Sequence, residues 1–262
     1  MSSARPGRPV WLGVAAVTAL LVITVSGSEA WGLLLSSHHT QDLVLRHRVS
    51  AVRIAAGPAE VALSPGPAGQ VMIHQELSWV WRRPVVTESW AGDVLTVGVL
   101  CGTPAWLAKP LRCSVRLDVS VPPTVSVAAG VTSGAIEARD LTGPVDLSAT
   151  SGLVSLRRLR GSVRAQATSG MISGSGLRSA EVTAVTDSGL VEMQFAAPPV
   201  RVTARAASGA LDLTVPRGTR YRVTGGSGSG DRSGIDPALV DPSAPRSIDA
   251  STDSGPVSIR YG

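Results

Sequence analysis

Thr132-Ser133-Gly134-Ala135-Ile136, Thr150-Ser151-Gly152-Leu153-Val154 and Thr168-Ser169-Gly170-Met171-Ile172 are three passes through one pattern. The Ser-Gly corner returns at Asp187-Ser188-Gly189, Ala207-Ser208-Gly209 and Asp253-Ser254-Gly255. Successive glycines from Gly134 to Gly209 lie 18, 18, 19 and 20 residues apart. A period near twenty marks a repeat architecture, in which each unit buries its apolar face against its neighbours.

Working outward from the corner, Val127, Val145, Val163, Val182 and Val202 each stand seven residues before a glycine. Tyr221 and Ile248 hold the same position before Gly228 and Gly255. Two residues after the corner glycines come Ile136, Val154, Ile172, Val191, Leu211 and Val257. The flanking residues alternate apolar with polar, as in Val145-Asp146-Leu147, which is the period of a half-buried strand. Each repeat is therefore expected to hold two short strands. A second corner falls at Leu141-Thr142-Gly143, Leu159-Arg160-Gly161 and Leu177-Arg178-Ser179. Glycine permits the sharp turn and close backbone approach, and Ser, Thr and Asp beside it cap local backbone groups.

Two folds satisfy the pattern. In a β-solenoid, equivalent strands of successive coils stack in parallel; in a meander, consecutive strands pair as hairpins. The matching registers of the stretches beginning at Gly134 and Gly152 favour the first. The expectation is an all-β chain, a right-handed parallel β-helix-like solenoid, placed after an N-terminal transmembrane helix. The interior should be thin, since the chain has one Phe and two Tyr.

Residues 10–35 are expected to be a transmembrane signal-anchor. Val10 to Val25 is broken only by Thr18 and Thr24, and the apolar run resumes from Ala30 to Leu35. Arg5 and Arg8 put residues 1–9 in the cytoplasm and the rest outside. The rival is a cleaved signal peptide with a site at Ser28-Glu29-Ala30, which would leave a secreted protein. Residues 36–48 read as a linker and 49–262 as the solenoid domain. Within that domain, 225–246 is Gly-, Ser- and Pro-rich and reads as an exposed loop. Cys101 and Cys113 are the chain's two cysteines and are expected to pair in an oxidising compartment.

With those elements placed, residues of about 49–262 resemble the bacterial β-strand-repeat family known as "putative adhesin", a domain of unknown function. The resemblance is carried by Val52 to Leu63, by Gly92-Asp93-Val94-Leu95 ahead of the cysteine pair, by Val119-Ser120-Val121-Pro122, and by the iterated Ser-Gly coils. It implies an extracytoplasmic β-solenoid, often membrane-anchored, and brings no catalytic residues.

The residues themselves point away from several functions. Residues 36–262 hold 22 basic and 18 acidic side chains, too even a balance for a nucleic-acid binder. The stretch Gly225 to Asp231 lacks a Walker lysine and the strand-to-helix setting of a phosphate loop. The histidines His38, His39, His47 and His74 have no metal-type spacing, and no cofactor is expected. A polysaccharide-active β-helix enzyme is the alternative function, and it needs paired acids on neighbouring coils. By alignment Glu137 meets Ser155 and Ser173, Asp146 meets Arg164, and Asp140 meets Arg158, so no acid pair emerges. Arg157, Arg158, Arg160, Arg164 and Arg178 crowd two coils. They are the candidate contact surface for an anionic envelope polymer or anionic lipid. The sequence thus leads to a non-catalytic, adhesin-like surface module anchored in the cell membrane.

Overall fold

The computed structural model describes residues 37–80, 82–102, 113–228 and 232–262. The proposed tail and membrane segment, residues 1–35, lie outside the described residues. Among those described, no helix is long and apolar enough to cross a membrane.

The described chain is all-β, with fourteen strands in one mixed sheet. Its centre is a stack of long strands: β7 (Ser126–Arg139), β8 (Val145–Arg157), β9 (Val163–Leu177), β10 (Glu181–Phe195) and β11 (Arg201–Val215). They pair in parallel and in register, with Gly134 beside Gly152, Gly152 beside Gly170, Gly170 beside Gly189 and Gly189 beside Gly209. Like stacks on like, and the meander is excluded for this part of the chain. The two short strands expected per repeat are one continuous bent strand, because the ladder runs straight through the Ser-Gly corner.

Inward positions change parity at that corner. In β8 the buried apolar residues are Val145, Leu147 and Ala149 before it, and Val154 and Leu156 after it, with Leu159 closing the rung. Burying such side chains is worth about 1.5–3 kcal/mol each for Val and Leu. Neighbouring rungs repeat the set, so the core is one continuous column.

The corners explain the glycines. Gly152 has φ 143 and Gly170 has φ 144, and a Cβ on either would overlap the carbonyl oxygen of the glycine one rung earlier. The mid-repeat corner has its own left-handed column: Asp140 (φ 57), Arg158 (φ 50) and Gly176 (φ 62). Arg158 pairs with Asp140 through Nε and Nη2, at 2.7 and 2.6 Å. This hydrogen-bonded guanidinium holds the Asp140 carboxyl below its ordinary range.

Both ends depart from sequence order. At the N-terminal end, β2 (Ala51–Pro65) pairs with β7 on one side. On its other side it meets two strands, β5 (Val94–Leu100) and β6 (Cys113–Val121), which together make one rung. The Cys101–Cys113 disulfide, with Cα atoms 6.1 Å apart, closes that rung where the others carry a tight corner. It takes over the corner's task, holding two half-rungs together across a 12-residue separation. Closing a loop of that size is worth about 3 kcal/mol by chain entropy. We therefore expect Cys101→Ser/Cys113→Ser to lower unfolding stability by roughly that amount. Guanidinium titration followed by circular dichroism measures it, and an unchanged midpoint would show that the rung closes without the bond.

Three antiparallel pairings make the sheet mixed, correcting the wholly parallel expectation. β3 (Val71–Trp79) pairs with β6, β1 (Ser37–Leu45) with β3, and β4 (Val85–Ala91) with β5. Residues 37–45, read as part of a linker, are thus the outermost strand. Its polar, weakly alternating sequence hides the pairing. The tie is the Asp42 carboxylate, 2.6 Å from His74 Nδ1. Asp42 and then Glu76 raise the His74 pKa above 6.5. A raised histidine contributes stability in full below its unfolded pKa and loses it as pH climbs through the folded value. Amide exchange in β1 should therefore speed up between pH 6 and pH 8 beyond its intrinsic rise, and His74→Gln should remove the excess.

At the C-terminal end, β13 (Ser247–Ser254) and β14 (Val257–Tyr261) stack directly on β11. β12 (Arg222–Ser227) lies outside β13, although it precedes it in sequence. The reason is a detour. Part of the stretch read as a loop, 225–246, belongs to β12, and a short 3-10 turn at Pro237–Leu239 buries Leu239. Tyr221 is fully buried at this end and bridges Val240. Loop composition was a poor guide here because Gly225 and Gly228 abut the backbone of β13 and leave no room for a Cβ.

Candidate functional site

Among the arginines singled out in sequence, register separates two kinds. Arg157 lies 3.4 Å from Glu137, and Arg158 is held by Asp140 as described. Both carboxylates come from the preceding rung, so these two arginines are neutralised within the molecule. Arg160 and Arg178 occupy one column at the mid-repeat corner, where Arg160 N–H donates to Leu141 O and Arg178 N–H to Leu159 O. Both side chains are exposed and, among the described residues, neither has an ion-pair partner. Arg164 stands on β9 beside Asp146 of β8. Its guanidinium turns to Gln166 instead. With the amide oriented to match donors and acceptors, the Gln166 oxygen accepts from Nε and Nη2 at 2.7 and 2.6 Å.

Arg164 also borders a feature that sequence reading missed. The outward faces of β2 and β7 carry Ala55 and Gly130 side by side on adjacent rungs. Two neighbouring outward positions with almost no side chain leave a trough; on the next rung the Thr87 hydroxyl lies over Gly98. It forms a recess of ≈ 1190 Å³ whose walls include Arg53, Arg164 and Gln166, with Ala55, Ala128 and Gly130 in its floor. A second recess of ≈ 440 Å³ adjoins it and shares Arg53, Asp146 and Arg164. Arg53 is exposed and, among the described residues, unpaired. The trough was legible in principle as a run of small residues at matching register. The rung order β5–β2–β7 is not sequential, however, so no sequence period reveals it.

One acid pair does exist. Counted from the corner glycines, Glu192 and Asp212 share the Glu137 column, and register sets them side by side on β10 and β11. The alignment of the Glu137 column stops at Ser173, one rung short of them. Arg260 Nη2 approaches Asp212 Oδ2 at 2.9 Å. One member is thus committed to an ion pair, and neither residue lines the two recesses. Among the described residues, no cluster of His, Cys, Asp and Glu could hold a metal ion.

No protein-family model matches the chain, and no curated protein matches it. Solved structures similar to it include a "putative adhesin" from Parabacteroides distasonis, with 9% identity and TM-score 0.43, covering 86% of this chain and 97% of that one. A "putative cell adhesion protein" from Clostridium sporogenes has 7% identity and TM-score 0.36, covering 86% and 98%. A "putative lipid binding protein" from Parabacteroides distasonis has 11% identity and TM-score 0.29, covering 86% and 97%.

Proposed function

We propose that this chain is a non-catalytic, adhesin-like module of the cell envelope. In this reading residues 10–35 anchor it in the membrane, the strands form an extracytoplasmic β-solenoid, and the domain binds an anionic polymer along its arginine-bearing face. The observation that carries the binding is a group of exposed guanidinium groups that have no carboxylate partner among the described residues, Arg53, Arg160, Arg164 and Arg178 being the ones on or beside the two recesses and the mid-repeat corner. Most arginines of the parallel stack that lie near an acid are paired with it, including Arg201 with Glu181 and Arg205 with Asp249. Unpaired arginine offers planar, bidentate donors to phosphate or carboxylate, and rungs about 4.8 Å apart supply several such donors along one polymer.

Exposed contacts of this kind are weak singly and fade as salt screens them. The full chain should therefore bind a polyphosphate- or uronate-bearing polymer at low ionic strength and release it near 0.5 M salt. Arg160→Ser/Arg164→Ser/Arg178→Ser should reduce that binding at least about tenfold while leaving the melting temperature within a few degrees, since exposed substitutions cost little. Unchanged affinity in the triple variant would refute the arginine face. Hydrolysis of the polymer, abolished by Glu192→Gln, would instead establish the enzymatic reading.

A further inference from the structure

The first outward position after each corner glycine forms a column of its own: Ala135, Leu153, Met171, Leu190 and Ala210, each beside the next in register. Leu153 is 39% exposed and Met171 38%, and Leu190 between β9 and β11 is half-buried. One exposed leucine means nothing. Three large apolar side chains on consecutive rungs make an unbroken ridge, because the rungs are only about 4.8 Å apart. The core does not need them, since inward positions on the same rungs are filled by Val154, Ile172 and Val191.

We propose that this ridge is the seam of a two-fold dimer of the chain, with the axis running along the stack so that the two stacks lie parallel. The proposal is independent of what the arginines bind. Its first support is period. A partner that sets an apolar group against every rung must share the rung spacing, and a second copy does so by construction. Its second support is charge. The next outward column holds Glu137, Ser155, Ser173, Glu192 and Asp212; the one after it holds Arg139, Arg157 and Ser175, and beyond the β9–β10 register shift Gln194 and Thr214. They all lie on one side of the ridge, because the corner turns away on the other. A two-fold axis along the ridge sends these columns to opposite flanks of the dimer, so like charges never meet. The antiparallel alternative, with the axis along the strands, would set Glu137 against Asp212 of the second copy. Two carboxylates opposed in this way are destabilising. In the parallel pair each residue meets itself: Leu153 with Leu153, Met171 with Met171, Leu190 with Leu190. The ridge is narrow, so the association is expected to be weak and concentration-dependent.

Cysteine cross-linking of the full chain tests this directly. The native cysteines are tied to each other, so one added cysteine is the sole free thiol. Leu153→Cys, Met171→Cys and Leu190→Cys should each form a disulfide-linked homodimer on mild oxidation. Each should do so at least about tenfold faster than Ser148→Cys on the other outward face, because the seam raises the local thiol concentration. Linkage by Met171→Cys alone would mean an antiparallel pair and overturn the proposal, as would rates no greater than that of the Ser148→Cys control. Leu153→Ser/Met171→Ser/Leu190→Ser provides a second reading that does not depend on oxidation. It should sediment as a monomer at concentrations where the native chain dimerises, with its melting temperature retained. A native chain that sediments as a monomer throughout would equally overturn the proposal.

Discussion

Gly170→Ala is expected to unfold the stack at room temperature or come close to it, although it adds a single methyl group. Two costs add. The residue sits at φ 144, where an L side chain is strained. Its new Cβ would also overlap the carbonyl oxygen of Gly152, a backbone atom fixed by its own ladder hydrogen bonds. Left-handed or otherwise rare backbone costs about 1–3 kcal/mol, and overpacking against an unyielding neighbour adds another 1–3 or more. A loss of about 4 kcal/mol consumes much of a small domain's total stability. The control is Gly218→Ala. Gly218 also has positive φ, at 85, but open space surrounds the position a Cβ would take. That variant should lose only about 1 kcal/mol. Denaturant midpoints compare the two, and similar losses would mean that backbone conformation rather than contact distance requires glycine in this column.

The same column shows why the repeat was readable from sequence and the ends were not. Between Gly134 and Gly209 each rung must present a glycine to the rung before it, so the constraint recurs at fixed spacing and becomes visible as a period. Val127, Val145, Val163, Val182 and Val202 recur for the same reason, and all are buried. The ends obey no such rule. β2 precedes β5 in sequence yet sits inside it, and β13 displaces β12 from β11. Composition misled in both places: Ser37–Leu45 is polar enough to read as linker, and Gly225–Ser227 flexible enough to read as loop. Both are strands because a stack must end somewhere, and what covers an end is chosen by the exposed edge rather than by a local pattern. The candidate arginine surface was half legible. Spacing placed Arg160 over Arg178 correctly. Asp140 and Arg158 were also seen to align. Their alignment is an ion pair, which removes Arg158 from the free surface. The trough around Ala55 and Gly130 required the rung order and lay beyond any reading of neighbours in sequence.

Val154→Asp should be at least as damaging as Gly170→Ala, and its neighbour separates burial from mere proximity to the core. Val154 is fully buried and packs between Ile136 and Ile172 in register. An aspartate there would lose the valine's burial, about 1.5–3 kcal/mol, and carry a carboxylate into a column with no donor to receive it. The group would stay protonated or draw water into the rung, and either outcome breaks the stack locally. Ser155 is also little exposed, at 9%, yet it stands between the inward Val154 and Leu156 and by alternation faces the other side of the strand. Arg157 Nε lies 3.4 Å from its hydroxyl. A carboxylate at 155 would therefore meet a guanidinium, although Glu137 on the preceding rung already competes for it. The expected cost of Ser155→Asp is under about 1 kcal/mol, against more than about 4 for Val154→Asp. The pH dependence separates the mechanisms further. Protonation at low pH should recover part of the loss in Val154→Asp, where the charge is the difficulty, and should recover nothing in Ser155→Asp, where the charge is paired. Equal melting temperatures for the two variants at pH 7 would mean that the side of the strand facing the core has been misassigned.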